Sequence, residues 1–146
     1  MGRVDLILNY CQVRYIYINE EASCGNSMII GIGTDIVRID RIENLVAKFG
    51  DKFISRILAK SEIAKFNATG KKVSFLAKRF AAKEAISKAF GTGIGNEIEF
   101  KDIVISNNES GCPIVTIDRD IAMGRNIFLS IADEIDVAVA FAVISA

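Results

Sequence analysis

The chain has 146 residues, a length typical of one domain that can bury a core without disulfides. Eighteen basic residues balance eighteen acidic ones. Hydrophobic residues make up 51% of the chain and charged residues 25%, a composition that excludes a disordered chain. There is no histidine, which excludes a histidine base, a Ser-His triad and histidine zinc sites, and the three cysteines lack metal-ligand spacing, as expected in a reducing compartment.

The first 27 residues differ from the rest. They contain all three tyrosines and two of the three cysteines, with a β-like run at 13–18 and a polar run at 20–27. The basic start, apolar core and cleavage site of a signal peptide are missing. We therefore interpret residues 1–27 as a dispensable N-terminal extension and residues 28–146 as the domain. A genuine extra strand is the alternative.

From Met28 the pattern predicts a short apolar strand that ends with two glycines followed by an acid, Asp35. A helix is predicted after it. The strand glycines are not a dinucleotide-binding loop, because Ile36 stands where the third glycine is needed. Five apolar residues then recur at helical spacing before Gly50: Ile39, Ile42, Leu45, Val46 and Phe49. A turn at 51–58 and a short helix from Ser61 to 67–70 follow.

A long helix is predicted over residues 73–90. Strands at 100–106 and 114–117 flank a turn-rich segment and predict a hairpin, and 118–124 predicts a short helix. Residues 127–131 and 136–144 predict a second antiparallel pair. These elements predict an α+β fold with a mainly antiparallel sheet and a long central helix. The apolar run 137–144 is too short to cross a bilayer.

The long helix carries an unusual set of charges. Residues 71–88 contain six basic residues and one acid, Glu84, which lies among Arg79, Lys83 and Lys88. Phe80, Glu84 and Lys88 are four residues apart and share one helix face. This excess of positive charge around one acid suits a phosphate-rich ligand that carries a divalent cation. A solvated amphipathic helix with an ordinary Glu-Lys pair is the alternative.

Two segments, GIGTDIV…RI from Gly31 and FLAKRFAAKEAISKAFGTG from Phe75, closely resemble the holo-[acyl-carrier-protein] synthase family. These small 4′-phosphopantetheinyl transferases use coenzyme A. The resemblance runs from Met28 nearly to the end and includes FISRIL at 53–58, FKDIVI at 100–105 and the Gly111-Cys-Pro turn. It implies transfer of the 4′-phosphopantetheine arm of coenzyme A to a serine of apo-acyl carrier protein, in support of fatty acid biosynthesis.

The resemblance also implies site residues. Asp35 and Glu84 match the family's Mg²⁺ carboxylates, and Lys88 matches a lysine that neutralises phosphate charge, so these three form the expected catalytic set. Arg79 and Lys83, with Lys88, are expected to bind coenzyme A. The proton of the carrier serine needs an acceptor, either a carboxylate next to the metal or a bound water.

The second substrate is an acidic carrier protein, for which a basic docking face is expected. Arg41 matches the family's arginine for carrier contact, and Arg38 is the second candidate on the same predicted helix. A solvated helix face is the alternative, because Asp40 and Glu43 dilute the charge. The resemblance further implies a homotrimer in the cytoplasm, and no nucleic-acid or membrane partner is expected.

One position departs from the family pattern. Family members often carry a Ser-His pair in a run that reads Ser-Ile-Ser-His, where this chain has Ser130-Ile-Ala-Asp133. Because the histidine position is thought to contact coenzyme A phosphates, an aspartate has the wrong charge. Either nearby lysines compensate or coenzyme A binding is altered, unless Asp133 serves the next turn. A non-catalytic carrier-protein binder and another Mg²⁺-dependent, nucleotide-binding enzyme of the same fold are the alternative functions.

Overall fold

The structure, a computed structural model, describes residues 28–146. The interpretation of residues 1–27 lies outside this part of the chain. The described elements, in chain order, are β1 (Ile29–Arg38), α1 (Ile39–Phe49), α2 (Asp51–Ile57), α3 (Lys60–Ala68), α4 (Lys72–Ala89), β2 (Ile103–Asn107), β3 (Pro113–Ile117), β4 (Asn126–Asp133) and β5 (Val137–Ser145).

The strands form two antiparallel sheets. One has three strands in the order β1-β5-β4, and β2 and β3 form a separate hairpin. The central strand β5 places Ala140 opposite Asp35 and Phe141 opposite Ser130. Both predicted antiparallel pairs are therefore confirmed, as is the α+β fold with a mainly antiparallel sheet and a long central helix.

Helix α4 packs very closely on the three-stranded sheet. The sheet surface beneath it consists of glycines in β1 and of Ala138, Ala140 and Ala142 in β5. A Cβ atom added to Gly33 would lie 1.9 Å from the carbonyl oxygen of Ala85, well inside contact distance. The strand glycines thus allow the helix to approach the sheet, and they place the last turns of α4 against β1.

Strand β1 is longer than predicted. It continues past Asp35 to Arg38, because its pairing with β5 is unbroken up to Val137. Asp35 therefore lies within the strand, on the buried face that also carries Gly33. Arg38 is the last strand residue, so its predicted place on the following helix is wrong. The helix predicted at 118–124 is reduced to a short 3₁₀ turn, Asp120–Ala122.

The middle of α4 is buried from all sides. Leu76, Ala81 and Ile86 are fully buried, and the Phe80 ring packs on Phe100 with a centroid separation of 5.3 Å. Helices α1 to α3 complete the core with Ile42, Phe66 and other apolar side chains. Among residues 28–146 no helix has the length and apolar character needed to cross a membrane.

Candidate active site

Two elements distant in sequence meet at Asp35. The strand alternation directs its side chain toward α4, where it is 4% exposed. The Lys88 ammonium, in the last turn of α4, donates to Asp35 Oδ1 at 2.8 Å and to the Thr34 carbonyl oxygen at 3.1 Å. Close packing over the β1 glycines brings these groups together, so the predicted Asp35 and Lys88 share one site.

Glu84 lies one helical turn before Lys88 and is 7% exposed. Burial, followed by the negative charge of Asp35, raises the pKa of Glu84 to about 7. The positive charges of Lys88 and Arg41 act in the opposite direction but only partly offset this. The structure thus brings Asp35 and Glu84 together as an acidic pair, with the positive charges of Lys88 and Arg41 beside it.

The acidic pair fits a divalent cation of the magnesium type. Burial and, after it, the charge of Asp35 raise the pKa of Glu84, and a cation held by both carboxylates would stabilise their charged forms. Within residues 28–146 no group of three or more histidine, cysteine or acidic side chains could hold a metal ion. The protein would therefore supply two ligands, Asp35 and Glu84, and leave the rest to phosphate and water, as Mg²⁺ prefers.

Lys83 lies on a different side of α4, away from this pair. Its side chain is fully buried, and its ammonium donates to Glu62 Oε2 and to the Ile57 carbonyl oxygen. Burial lowers the pKa of Lys83, and the Glu62 charge partly restores it. A contact between Lys83 and coenzyme A would require this ion pair to open, and the predicted contact stays a prediction.

Arg79 joins the same buried cluster. Its Nε lies 3.3 Å from Glu62 Oε1, an ion-pair distance without hydrogen-bond geometry, so the attraction is electrostatic only. The guanidinium lies over the Phe75 ring, 4.6 Å from its centroid. Arg79 also forms part of the wall of a surface pocket beside the N-terminal half of α4, whereas Lys83 does not.

Glu62 is the structural residue that sequence reasoning missed. The sequence places it in the first turn of a predicted short helix, and its carboxylate accepts from the backbone N–H groups of Ala59 and Ile105, at 2.8 Å and 3.2 Å, besides its contacts with α4. Arg79 and Lys83 lie among alanines and a phenylalanine on α4, and cations in such apolar surroundings require a buried group of opposite charge. Nothing in the linear sequence says which acid supplies it.

The two arginines predicted to dock a carrier protein differ in their surroundings. Arg38 is exposed and pairs with Asp40 two residues later. Arg41, on α1, is half-buried and close enough for its charge to act on Glu84. Arg41 therefore borders the acidic pair, whereas Arg38 lies on the outer surface.

A shallow pocket of about 280 Å³ lies beside the N-terminal half of α4, between that helix, the β2–β3 hairpin and the end of β4. Its lining includes Lys65, Lys78, Arg79, Asn107 and Asp133. The Asp133 carboxylate accepts from the Ser74 hydroxyl at 2.8 Å and from the Lys78 ammonium at 3.1 Å. Asp133 thus pairs with Ser74 and Lys78 of α4 rather than serving the turn before Asp136.

Fold and site together define a small α+β domain in which a buried acidic pair, bordered by cations, lies where a central helix meets a three-stranded sheet. The model of the 4′-phosphopantetheinyl transferase superfamily matches residues 31–141. Holo-[acyl-carrier-protein] synthase of Ehrlichia chaffeensis is 49% identical over 120 residues, which cover 80% of this chain and 97% of that protein.

Solved structures agree with this relationship. The crystal structure of holo-[acyl-carrier-protein] synthase from Neisseria meningitidis has a TM-score of 0.75 at 43% identity, covering 82% of this chain and 99% of that one. A Bacillus anthracis holo-(acyl-carrier-protein) synthase solved in complex with CoA (3′,5′-ADP) has a TM-score of 0.72 at 40% identity, covering 82% and 98%. The chain belongs to the 4′-phosphopantetheinyl transferase superfamily, among relatives named holo-[acyl-carrier-protein] synthase.

Proposed function

We propose that this protein is a Mg²⁺-dependent holo-[acyl-carrier-protein] synthase. It transfers 4′-phosphopantetheine from coenzyme A to a serine of apo-acyl carrier protein and releases adenosine 3′,5′-bisphosphate. The observation that carries this proposal is the meeting of Asp35, Glu84 and Lys88 at one site, in a chain whose relatives are named for this activity. The supply of holo-carrier for fatty acid biosynthesis, in the cytoplasm, is part of the proposal.

The reaction is a phosphoryl transfer. The serine oxygen bonds to the phosphorus that carries the pantetheine arm, and the bond from that phosphorus to the bridging oxygen of the pyrophosphate breaks. The electron pair of that bond leaves with adenosine 3′,5′-bisphosphate, and the serine proton passes to an acceptor. Charge spreads over the phosphoryl oxygens in the transition state, so catalysis depends on positioning and on nearby positive charge.

Each member of the acidic pair has a role in this chemistry. Asp35 and Glu84 would hold the Mg²⁺ ion, which when bound neutralises phosphate charge. Lys88, held by Asp35 and the Thr34 carbonyl, keeps an ammonium beside the acidic pair, where it would neutralise charge on a phosphoryl group bound to the cation. The serine proton passes either to a carboxylate next to the cation or to a bound water.

The intact mass of an apo-acyl carrier protein, incubated with this chain, coenzyme A and Mg²⁺, tests the function directly. We expect a gain of about 340 Da, the mass of the phosphopantetheine arm, that disappears with EDTA. The carrier must be shown to be competent with a known transferase. No gain from folded protein would favour a non-catalytic carrier-protein binder, and activity on an unrelated nucleotide alone would favour a different enzyme of the same fold.

Carrier docking is proposed at α1, with Arg41 as the main contact and Arg38 as the outer one. A separate concave surface of about 430 Å³ at the C-terminal end of α1 is lined by Lys52, Arg56 and Lys101 and one acid, Glu99. Arg41→Ala should raise KM for the carrier more than Arg38→Ala, because Arg41 borders the acidic pair, which the carrier serine must reach, whereas Arg38 lies on the outer surface. Equal carrier KM values in both variants and the parent protein would contradict this docking face.

A homotrimer is proposed on the strength of an uncovered apolar sheet face. The side of the three-stranded sheet turned away from α4 exposes Ile36, Phe128 and Phe141, side chains of a kind normally buried between subunits. In the homotrimer this apolar face would pack against a second copy of the chain. Sedimentation equilibrium should give three times the chain mass of 15.9 kDa, and Phe141→Asp should give the monomer. A monomeric parent protein would refute the proposal.

A further inference from the structure

The Lys88 ammonium is held by one of the two carboxylates that are proposed to bind the metal. It donates to Asp35 Oδ1 at 2.8 Å and to the Thr34 carbonyl oxygen at 3.1 Å. The side chains of Lys88 and Asp35 are only 9% and 2% exposed. Charges in such a position are weakly screened by water and salt, so the ammonium acts strongly on any other ion that Asp35 binds.

The formal charges of the four side chains at the site cancel. When ionised, Asp35 and Glu84 contribute two negative charges, and Lys88 and Arg41 contribute two positive charges, with Arg41 close enough for its charge to act on Glu84. A divalent cation bound to the acidic pair would add positive charge to a buried site that already contains two cations. Repulsion by these cations opposes metal binding, chiefly that by Lys88, because it shares Asp35 with the metal.

An anionic ligand would remove this opposition. A phosphate group bound to the metal supplies negative charge, and the ammonium of a lysine can turn from a carboxylate to a phosphate oxygen because its four-carbon side chain is flexible. Lys88 is four residues after Glu84 on the same face of α4. The same ammonium can therefore neutralise Asp35 before the substrate binds and a phosphate group afterwards.

We propose that Lys88 couples metal binding to substrate binding, because its ammonium competes with Mg²⁺ for Asp35 until a phosphate-bearing ligand binds the ammonium instead. This inference rests on the proposed function. The protein therefore binds Mg²⁺ weakly by itself and more tightly together with coenzyme A. Because such coupling is reciprocal, Mg²⁺ increases the affinity for coenzyme A by the same factor.

Lys88→Gln tests the proposal through Mg²⁺ binding, measured by isothermal titration calorimetry at one fixed pH without coenzyme A or carrier protein. We expect binding to tighten by about tenfold relative to the parent protein, because the amide does not repel the metal. Partial unfolding would weaken binding, so a gain in affinity separates this role from a structural one. Lys88→Met is a second charge-removing variant in case the glutamine variant does not fold. Lys88→Arg retains the charge and should show no gain.

Coenzyme A binding measures the coupling itself. Titrations in saturating Mg²⁺ and in EDTA give two coenzyme A affinities, and their ratio should be smaller in Lys88→Gln than in the parent protein by about tenfold. Lys72→Gln is the matched control, since it makes the same charge change at an exposed position in the first turn of α4, about 24 Å away along the helix axis. It should alter Mg²⁺ affinity by less than about twofold, because the distance exceeds the screening length.

Unchanged or weaker Mg²⁺ binding by both Lys88→Gln and Lys88→Met would overturn the proposal, as would an equal gain in Lys72→Gln. The transfer assay on the parent protein separates this result from failure of the proposed function. If the parent protein modifies the carrier in a Mg²⁺-dependent manner and these Lys88 variants bind Mg²⁺ no tighter, only the coupling role of Lys88 is refuted. If no form binds Mg²⁺ or modifies the carrier, both are refuted.

Discussion

Lys88 donates to Asp35 across 53 positions of sequence, with an Nζ–Oδ1 distance of 2.8 Å. The contact joins the last turn of α4 to the middle of β1, and it exists because the glycines of β1 let the helix lie directly on the strand. Glu84, one turn earlier on the same helix, adds the second carboxylate. The candidate site is thus a product of one helix–strand contact.

Removal of either carboxylate should stop transfer without unfolding the protein. We expect Asp35→Asn and Glu84→Gln each to lower kcat/KM by about 10²-fold or more, because each removes charge that holds the cation at the reacting phosphate. Intact-mass time courses of the carrier measure the rate. Glu109→Gln, an exposed acid on the hairpin turn, is the control and should retain full activity. Full activity in either site variant would refute the metal assignment.

Stability of the metal-free protein should depend on pH through Glu84. Its pKa is raised to about 7 in the folded state, against 4.5 for the unperturbed group, so the folded protein binds the additional proton between these values. Stability should therefore fall as pH rises from about 4.5 to about 7, by about 3 kcal/mol in total.

Thermal unfolding in EDTA across this pH range measures the effect. Glu84→Gln should flatten the dependence, and Mg²⁺ at about pH 8 should raise Tm in the parent protein but not in that variant. The same dependence of Tm on pH in the parent protein and in Glu84→Gln would show that a group other than Glu84 titrates.

The close approach of α4 to β1 predicts a severe effect at one glycine. Gly33→Ala would place a methyl group 1.9 Å from a backbone oxygen of α4, so the helix must move away from the strand. We expect a loss of several kcal/mol in unfolding free energy, about that of strong overpacking, and loss of transfer activity with it. Gly70→Ala, which meets no atom within 4 Å, is the control and should leave Tm nearly unchanged. Equal Tm values for the two variants would contradict the described packing.

The buried cluster around Glu62 predicts an order of stabilities. Glu62→Gln leaves Lys83 and Arg79 buried without a counter-charge, and should cost about 3–5 kcal/mol. Lys83→Met should cost less, because Glu62 keeps Arg79 as its partner. Urea unfolding of both variants tests the order.

The same Lys83→Met variant tests the predicted coenzyme A contact. If the role of Lys83 is confined to the core, KM for coenzyme A should stay the same in the folded variant. A rise in KM with stability retained would instead support direct binding.

Deletion of residues 1–27 should leave both the fold and the transfer activity intact, because the family match begins at residue 31 and the described site residues Asp35, Glu84 and Lys88 lie within it. Circular dichroism, thermal unfolding and the mass assay on the chain beginning at Met28 measure this. Loss of folding or of activity would show that the extension is part of the domain.

The sequence by itself determined most of the elements and the class of chemistry. The predicted long helix, 73–90, agrees with α4 within one residue at each end, and the hairpin and the β4–β5 pair followed from apolar runs divided by turn residues. The absence of histidine limited acid–base and metal chemistry to carboxylates, lysines and water. These features are local, and local features can be derived from residue order.

Only the tertiary structure decided which charged residues are paired in the core and which lie at the candidate site. Arg79, Lys83, Glu84 and Lys88 are close in sequence, yet the helix turns Lys83 toward Glu62 in the core and Lys88 toward Asp35 at the sheet. Likewise Asp133 pairs with Ser74 and Lys78 because β4 passes beside α4. A helix has several faces, and the elements packed against each face determine whether a charge stabilises the core or remains available to a ligand.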